Sequence, residues 1–540
     1  MICWRRGRAP RRAAGLLLAG LLLSGLLAAG TAAAPGAPKV FRMVLGGDAL
    51  TLDPALGNDL QAILVTSNLY STLVRADAEG NFYPDAAASW RTSPDGRTWR
   101  FVLRDNLRFH NGRAVTAQDV KYSLERLAWP ETRSPNARTL LGDVVGFEEV
   151  AAGRTRQLSG VRAVDDRTVE IRVNFPMRGE FLARLSFAGT AIVAREIVEA
   201  GGKTWDEKAS AGTGPYRLVT WTRNMRIAME RFSGYFGGAV KVDRVEFIVL
   251  PEGATQLAMY ENNEVDLAAV PIAEYRRVSA HPVLSKELIT GRRSQALFLG
   301  LNPRVYPAFR DVRVRRAFAH AINREAIVRT VFQGLYRVAN GLVPPGVPAH
   351  NPSLRGHDYN PERARALLAE AGWSGRLPPL SLPFNPRGAD YRLLAEPVAA
   401  MLRQNLGVQT QVPLMDYARF RAEQQALDKF QAFVAGWSAP FHDPMWYLDG
   451  VLYSKSPNNW TNYNSPEYDR MLDQALAIVD PRARTRALQQ AEAKAIADDL
   501  ALVPLMYSEF LYLKKPHVKG IETFTMGLGL LPFRNLAIER

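Results

Sequence analysis

Cysteine is nearly missing from this chain. The only one in 540 residues, Cys3, precedes a basic and then apolar N-terminal stretch. The remainder can therefore hold no disulfide, no thiolate metal site and no cysteine nucleophile. Histidine is sparse as well. The seven histidines are mostly scattered, and His350 and His357 flank a proline- and glycine-containing segment without any tight His/Asp spacing. Zinc needs about four ligands in a compact cluster, so neither a protein metal site nor a cofactor is expected. There is no G-x-S-x-G elbow and no H-E-x-x-H pair, which removes the commonest hydrolase signatures but not a pair of carboxylates, whose spacing is free. No block of five or more Lys/Arg occurs despite a formal net charge of +15, so a solvated basic surface is the better reading and nucleic acid is not an expected partner. Low-complexity linkers, fixed repeats and any later membrane-spanning run are also lacking.

The N-terminus carries Arg5, Arg6, Arg8, Arg11 and Arg12, followed by an apolar run from Gly15 to Ala29 and the small residues Gly30 to Ala34. This is the pattern of a cleaved signal peptide over residues 1–34, with the mature chain starting near residue 33. Arg11 and Arg12 also fit a twin-arginine export signal, and both export routes stay open. With no cysteine at the cleavage site, a lipid anchor is not expected. The remaining chain is long enough for two or three domains.

Strand and helix signals alternate along it. Trp99, Phe101 and Leu103, and then Val169, Ile171 and Val173, alternate with polar or outward residues at the period of half-buried strands, read as edges of one sheet. Caps announce helices after Thr116, at Asn360-Pro361 with Gly372 as the stop, and at Ser465-Pro466. The mixture predicts an α/β chain.

The block from Ala87 to Leu127, AASWRTSPDGRTWRFVLRDNLRFHNGRAVTAQDVKYSLERL, resembles the signature of the extracellular solute-binding protein family 5, the peptide- and nickel-type binding proteins of ATP-driven importers. TLDPA (Thr51 to Ala55), GTGPYRLVTW (Gly212 to Trp221), VRRAFAHAINREAIV (Val314 to Val328), ALLAEAGW (Ala366 to Trp373), FVAGW with DP (Phe433 to Pro444), YNSPEYDRMLDQA (Tyr463 to Ala475) and ALVPLMY (Ala501 to Tyr507) follow the family's order. The resemblance implies a two-lobed fold like the large, class II periplasmic binding proteins. Lobe one would be residues 38–78, 188–286 and 502–540, with 79–187 as an attached subdomain, and lobe two 287–501. It also implies a monomer that holds a solute between the lobes and passes it to an inner-membrane permease and its ATPase, without covalent chemistry.

Seven aromatics fall between Trp437 and Tyr463, against a chain average of 9%. Such a stretch suits a pocket wall. Trp446 and Tyr463 read as core, whereas Trp437, Ser438, Ala439, Pro440 and Phe441 read as cleft, because the resembling family lines its pocket there. Peptide-binding relatives resemble one another in an aspartate three residues after the tryptophan, whose carboxylate pairs with the ligand's α-amino group. Here that residue is Pro440, which has no acceptor and no amide hydrogen. A peptide is thereby weakened as ligand, and a sugar, opine or metal chelate gains ground. Asp443 heads the DP pair, as ligand contact or as cap. Asn58, Asp59 and Arg138 are further candidates, Arg138 equally fitting a surface position. His110 reads as a turn residue. A receptor or chaperone of the same fold and, behind it, a secreted hydrolase are the competing functions.

Overall fold

A computed structural model describes residues 38–540 apart from 78–79, 178, 209–210, 387, 440–442, 479, 522–532 and 540. The expected signal peptide thus lies outside the described residues, as do Pro440 and Phe441.

Along the chain the elements that matter for the site are strand β1 (Val40–Leu45), helix α1 (Leu60–Leu69), strands β2 (Ala87–Thr92) and β3 (Thr98–Leu103), helix α2 (Ala117–Ala128), strands β4 (Val161–Ala163) and β5 (Thr168–Arg172), and helix α3 (Gly179–Leu185). Then come strands β6 (Tyr216–Thr222), β7 (Arg226–Arg231), β8 (Arg244–Val249), β9 (Leu267–Ala269), β10 (Leu288–Leu301) and β11 (Arg337–Val338). Helices α4 (Pro361–Glu370) and α5 (Ala389–Leu406), strand β12 (Ala432–Ser438), helices α6 (Met445–Leu452), α7 (Pro466–Ala477) and α8 (Pro481–Ala493), and strand β13 (Leu502–Lys514) follow.

Each predicted cap is built. Asn360 accepts the Arg363 amide at 2.9 Å, and Ser465 accepts that of Tyr468 at 3.3 Å. At α2 Thr116 and Asp119 form a capping box, in which the Asp119 carboxylate also accepts both the amide (2.8 Å) and the hydroxyl (3.1 Å) of Thr116. An acidic side chain is the stronger acceptor there and also sits in the field of the helix N-terminus. Val120, Leu124 and Leu127 are buried beneath.

β2, β3, β5 and β4 form a four-stranded sheet in that order. The strands read as edges are therefore its two inner members, Trp99 pairing with Ile171 and Phe101 with Val169. The second sheet has nine strands, ordered β12-β10-β13-β9-β1-β8-β7-β6, with β11 also pairing with β13. Within it β1 is parallel to both β8 and β9, and β10 is antiparallel to β12 and β13. One buried core gathers side chains of residues 41–247 together with Phe510, Tyr512 and the C-terminal Phe533 to Ile538. Two others draw on residues from Leu257 to Leu513, joined in one of them by Val44 of β1.

β10 and β13, with 14 and 13 residues, link these bodies. Their first section pairs Leu288–Arg292 with Glu509–Leu513 beside β9, their second pairs Ala296–Gly300 with Leu502–Tyr507 beside β12, and the register shifts between Arg292 and Ala296. Such an irregularity locally frees residues from the ladder and re-aims their side chains.

The Gly212-Thr213-Gly214 motif is explained by close approach. A Cβ on Gly212 would lie 1.9 Å from the Leu69 carbonyl, and one on Gly214 2.4 Å from that of Asn68. His110 lies against the same segment, its Nε2 3.1 Å from the Gly214 carbonyl, and burial lowers its pKa to about 4. It is a neutral residue that ties one motif to another.

Candidate functional site

In open α/β sheets ligands sit beyond the carboxyl ends of the parallel strands. The carboxyl ends of β1, β8 and β9 deliver the loops starting at Gly46, Leu250 and Val270 toward the place where β10 and β13 shift register. β12 runs antiparallel to β10 and ends with Ser438 opposite Gln295, so its carboxyl end arrives at the same place. This convergence is the candidate cleft.

The TLDPA loop after β1 is held from below. One oxygen of the buried Asp206 carboxylate accepts the Thr51 hydroxyl at 2.6 Å and the Leu52 and Asp53 amides at 2.8 and 3.1 Å. Asp53 itself pairs with Arg126 of α2. Asn136 adds a bond from its side-chain amide to the Gly57 carbonyl. Asp206→Ala leaves the buried Leu52 amide and the half-buried Thr51 hydroxyl without an acceptor, the Asp53 amide keeping the Thr51 hydroxyl oxygen at 3.0 Å, and urea unfolding is expected to show a loss of about 2 kcal/mol. A change below about 0.5 kcal/mol contradicts this role. Asn58 stands exposed at the rim of the loop. Asp59 caps α1, accepting the Ala62 amide at 3.0 Å.

The opposite wall is aromatic. Trp437 and Trp446 stack with ring centres 5.8 Å apart, and Trp460 meets Trp437 edge-on at 5.4 Å. The indoles are cross-tied, Trp437 donating to the Trp446 carbonyl and Trp446 to that of Ser438. Trp446 also reaches Phe187, 6.3 Å away across to the first core. Ala439 is fully buried, its amide donating to the Ser294 carbonyl and to the Tyr447 hydroxyl at 3.1 Å each. Ala439 and Asp443 flank Pro440–His442.

Asp443 is 1% exposed and accepts the Met445 amide at 2.9 Å, the cap geometry, while its other oxygen lies 3.7 Å from Nε of Arg184. Arg184, on α3, also pairs with Asp143. Burial raises the pKa of Asp443 against the lowering effect of Arg184. Burial likewise raises Asp449 of α6 to about 6. A second pair, Arg484–Glu180 at 2.6 Å, joins α8 to α3. Arg138 lies apart from the convergence just described, bidentate to Glu148 at 2.6 and 3.0 Å and stacked on Phe147. Its side chain is 62% exposed. Arg126, Asp206, Arg184 and the residues around Arg293 escaped the sequence reading, since no local pattern marks them. Among the described residues no group of three or more His, Cys, Asp or Glu is placed to hold a metal.

The profile of the bacterial extracellular solute-binding proteins, family 5 Middle, matches residues 81–459. The periplasmic oligopeptide-binding protein OppA of Salmonella typhimurium is 30% identical over 487 residues, 88% of each chain. Among solved structures, Haemophilus influenzae OppA in complex with RPPGFSPFR superposes with a TM-score of 0.83 at 25% identity, covering 93% of this chain and 99% of that one. The unliganded open form of MppA, the periplasmic murein tripeptide binding protein, is also 25% identical, covers 93% and 98%, and superposes at only 0.71. The two-lobed fold is thus present. The chain belongs to the bacterial extracellular solute-binding proteins, family 5.

Proposed function

We propose that this protein captures a peptide-like polar solute in the cleft between its lobes, outside the cytoplasmic membrane, and delivers it to an importer made of a membrane permease and an ATPase. The observation that carries this reading is the convergence of four strand ends on the shifted crossing of β10 and β13. The lobes are taken as 38–78, 188–286 and 502–540, with 79–187 attached, against 287–501. A solute touching both sides favours the closed state by its differential affinity. Binding, not turnover, is then the whole of the chemistry.

Trialanine at 100 times its Kd should stabilise the folded protein by about 2.7 kcal/mol, read as a rise in melting temperature. No shift with any of a broad panel of peptides, together with unimpaired peptide uptake in cells lacking the protein, overturns the proposal.

Pro440 favours a second reading, a sugar, opine or chelate, because it supplies no carboxylate for an α-amino group. Pro440→Asp tests it. The variant is expected to bind trialanine at least tenfold tighter while N-acetyl-trialanine is unchanged, since only the free amine gains a charged partner. Equal changes for both peptides would place residue 440 away from the ligand's amine.

A further inference from the structure

Arg293 lies within the register shift of β10, at the crossing that floors the cleft. It is half-buried, and Tyr512, Tyr336, Asp390 and Tyr391 are the groups within electrostatic reach. These neighbours are engaged with others. The Tyr336 hydroxyl donates to Asp390 at 2.5 Å, and Tyr391 accepts from Gln295, whose own oxygen accepts from Ser508. Arg337, on β11 against the same strand β13, is paired with Glu509. Arg293 makes no hydrogen bond and no ion pair with any described residue. Its half-buried guanidinium therefore has donors free to bind a solute, and a planar fork of donors matches a carboxylate in two parallel bonds.

We infer that Arg293 anchors a carboxylate of the solute at the floor of the cleft. With Pro440 offering nothing to an amine, recognition is led by the acidic end of the ligand. This deepens the proposed function and rests on its placing the solute in this cleft. The ligand class is a carboxylate-bearing solute, free or blocked at its amine.

Calorimetric titration of trialanine, trialanine amide and N-acetyl-trialanine into the wild type and Arg293→Gln tests this. Trialanine and its acetylated form should bind within about threefold of each other. The amide should bind about 100-fold more weakly, the scale of removing one partner of a desolvated charge pair. Arg293→Gln should lose that preference without a lower melting temperature in the absence of ligand, because no hydrogen bond or ion pair to a described residue is removed with it. Arg293→Lys, which keeps charge but not the fork, should retain a preference of roughly tenfold. Equal affinity for acid and amide in the wild type, or an undiminished acid preference in Arg293→Gln, overturns the inference. If none of the three peptides binds, the peptide reading fails and native mass spectrometry decides on Arg293 separately. A carboxylate-bearing solute co-purifying with the wild type and depleted about 100-fold in Arg293→Gln supports it. Equal retention, a retained solute without a carboxylate, or nothing retained by either protein overturns it.

Discussion

Arg184→Met is expected to destabilise the protein by about 3–5 kcal/mol at pH 7, measured by urea unfolding, the loss that follows when a buried pair is broken from one side. The arginine stem and the methionine side chain are similar in bulk, so packing is largely kept and the charge is the main change. What remains is Asp143, Asp443 and Asp449 facing one another with the cation gone. Asp443, 2% exposed in its side chain, is the most affected. Its pKa is already raised by burial, and Arg184 is the chief influence holding it down. The deficit should therefore shrink as the pH falls and Asp443 and Asp449, both raised by burial, take up protons. In the double variant Arg184→Met/Asp443→Asn part of the stability should return, because the two changes share one interaction. Purely additive losses would show that the 3.7 Å approach of Arg184 to Asp443 carries no energy.

These contacts also show where sequence reading stops. The caps at Asn360 and Ser465 were legible because the bonds span three residues, and the α2 stripe because its period is local. Alternation at Trp99 to Leu103 marks a half-buried strand but not how many strands flank it, so it does not distinguish an inner strand from an edge. Arg184 and Asp443 stand far apart in sequence, and only the docking of α3 near α6 brings them together. Arg293 is equally silent: nothing in LITGRRSQALFLGL distinguishes it from Arg292, and the register shift that sets it apart depends on β13, some two hundred residues later. For Pro440 the order is reversed. The sequence alone, against its family, marks that position.

Glu492→Gln is expected to make the protein more stable at pH 8 by up to about 3 kcal/mol, and to leave it nearly unchanged at pH 4. Glu492, on α8, is 1% exposed and accepts the Leu342 and Val343 amides at 2.7 and 2.8 Å. Burial outweighs those two bonds and raises its pKa from 4.5 to about 7. Between those values the unfolded chain has released the proton while the folded protein still holds it. Stability contributed by this group is therefore full below pH 4.5, falls as the pH rises toward 7 and stays low beyond. Glutamine keeps an oxygen for both amides and never ionises, so it removes the slope while preserving the anchor of the 341–343 loop, which Tyr507 of β13 also grips through the Gly341 carbonyl at 3.0 Å. Other carboxylates contribute their own pH dependence to both proteins equally. The difference between wild type and variant across pH 4 to 8 isolates Glu492, and parallel stability curves would show that its carboxyl ionises without penalty in the fold.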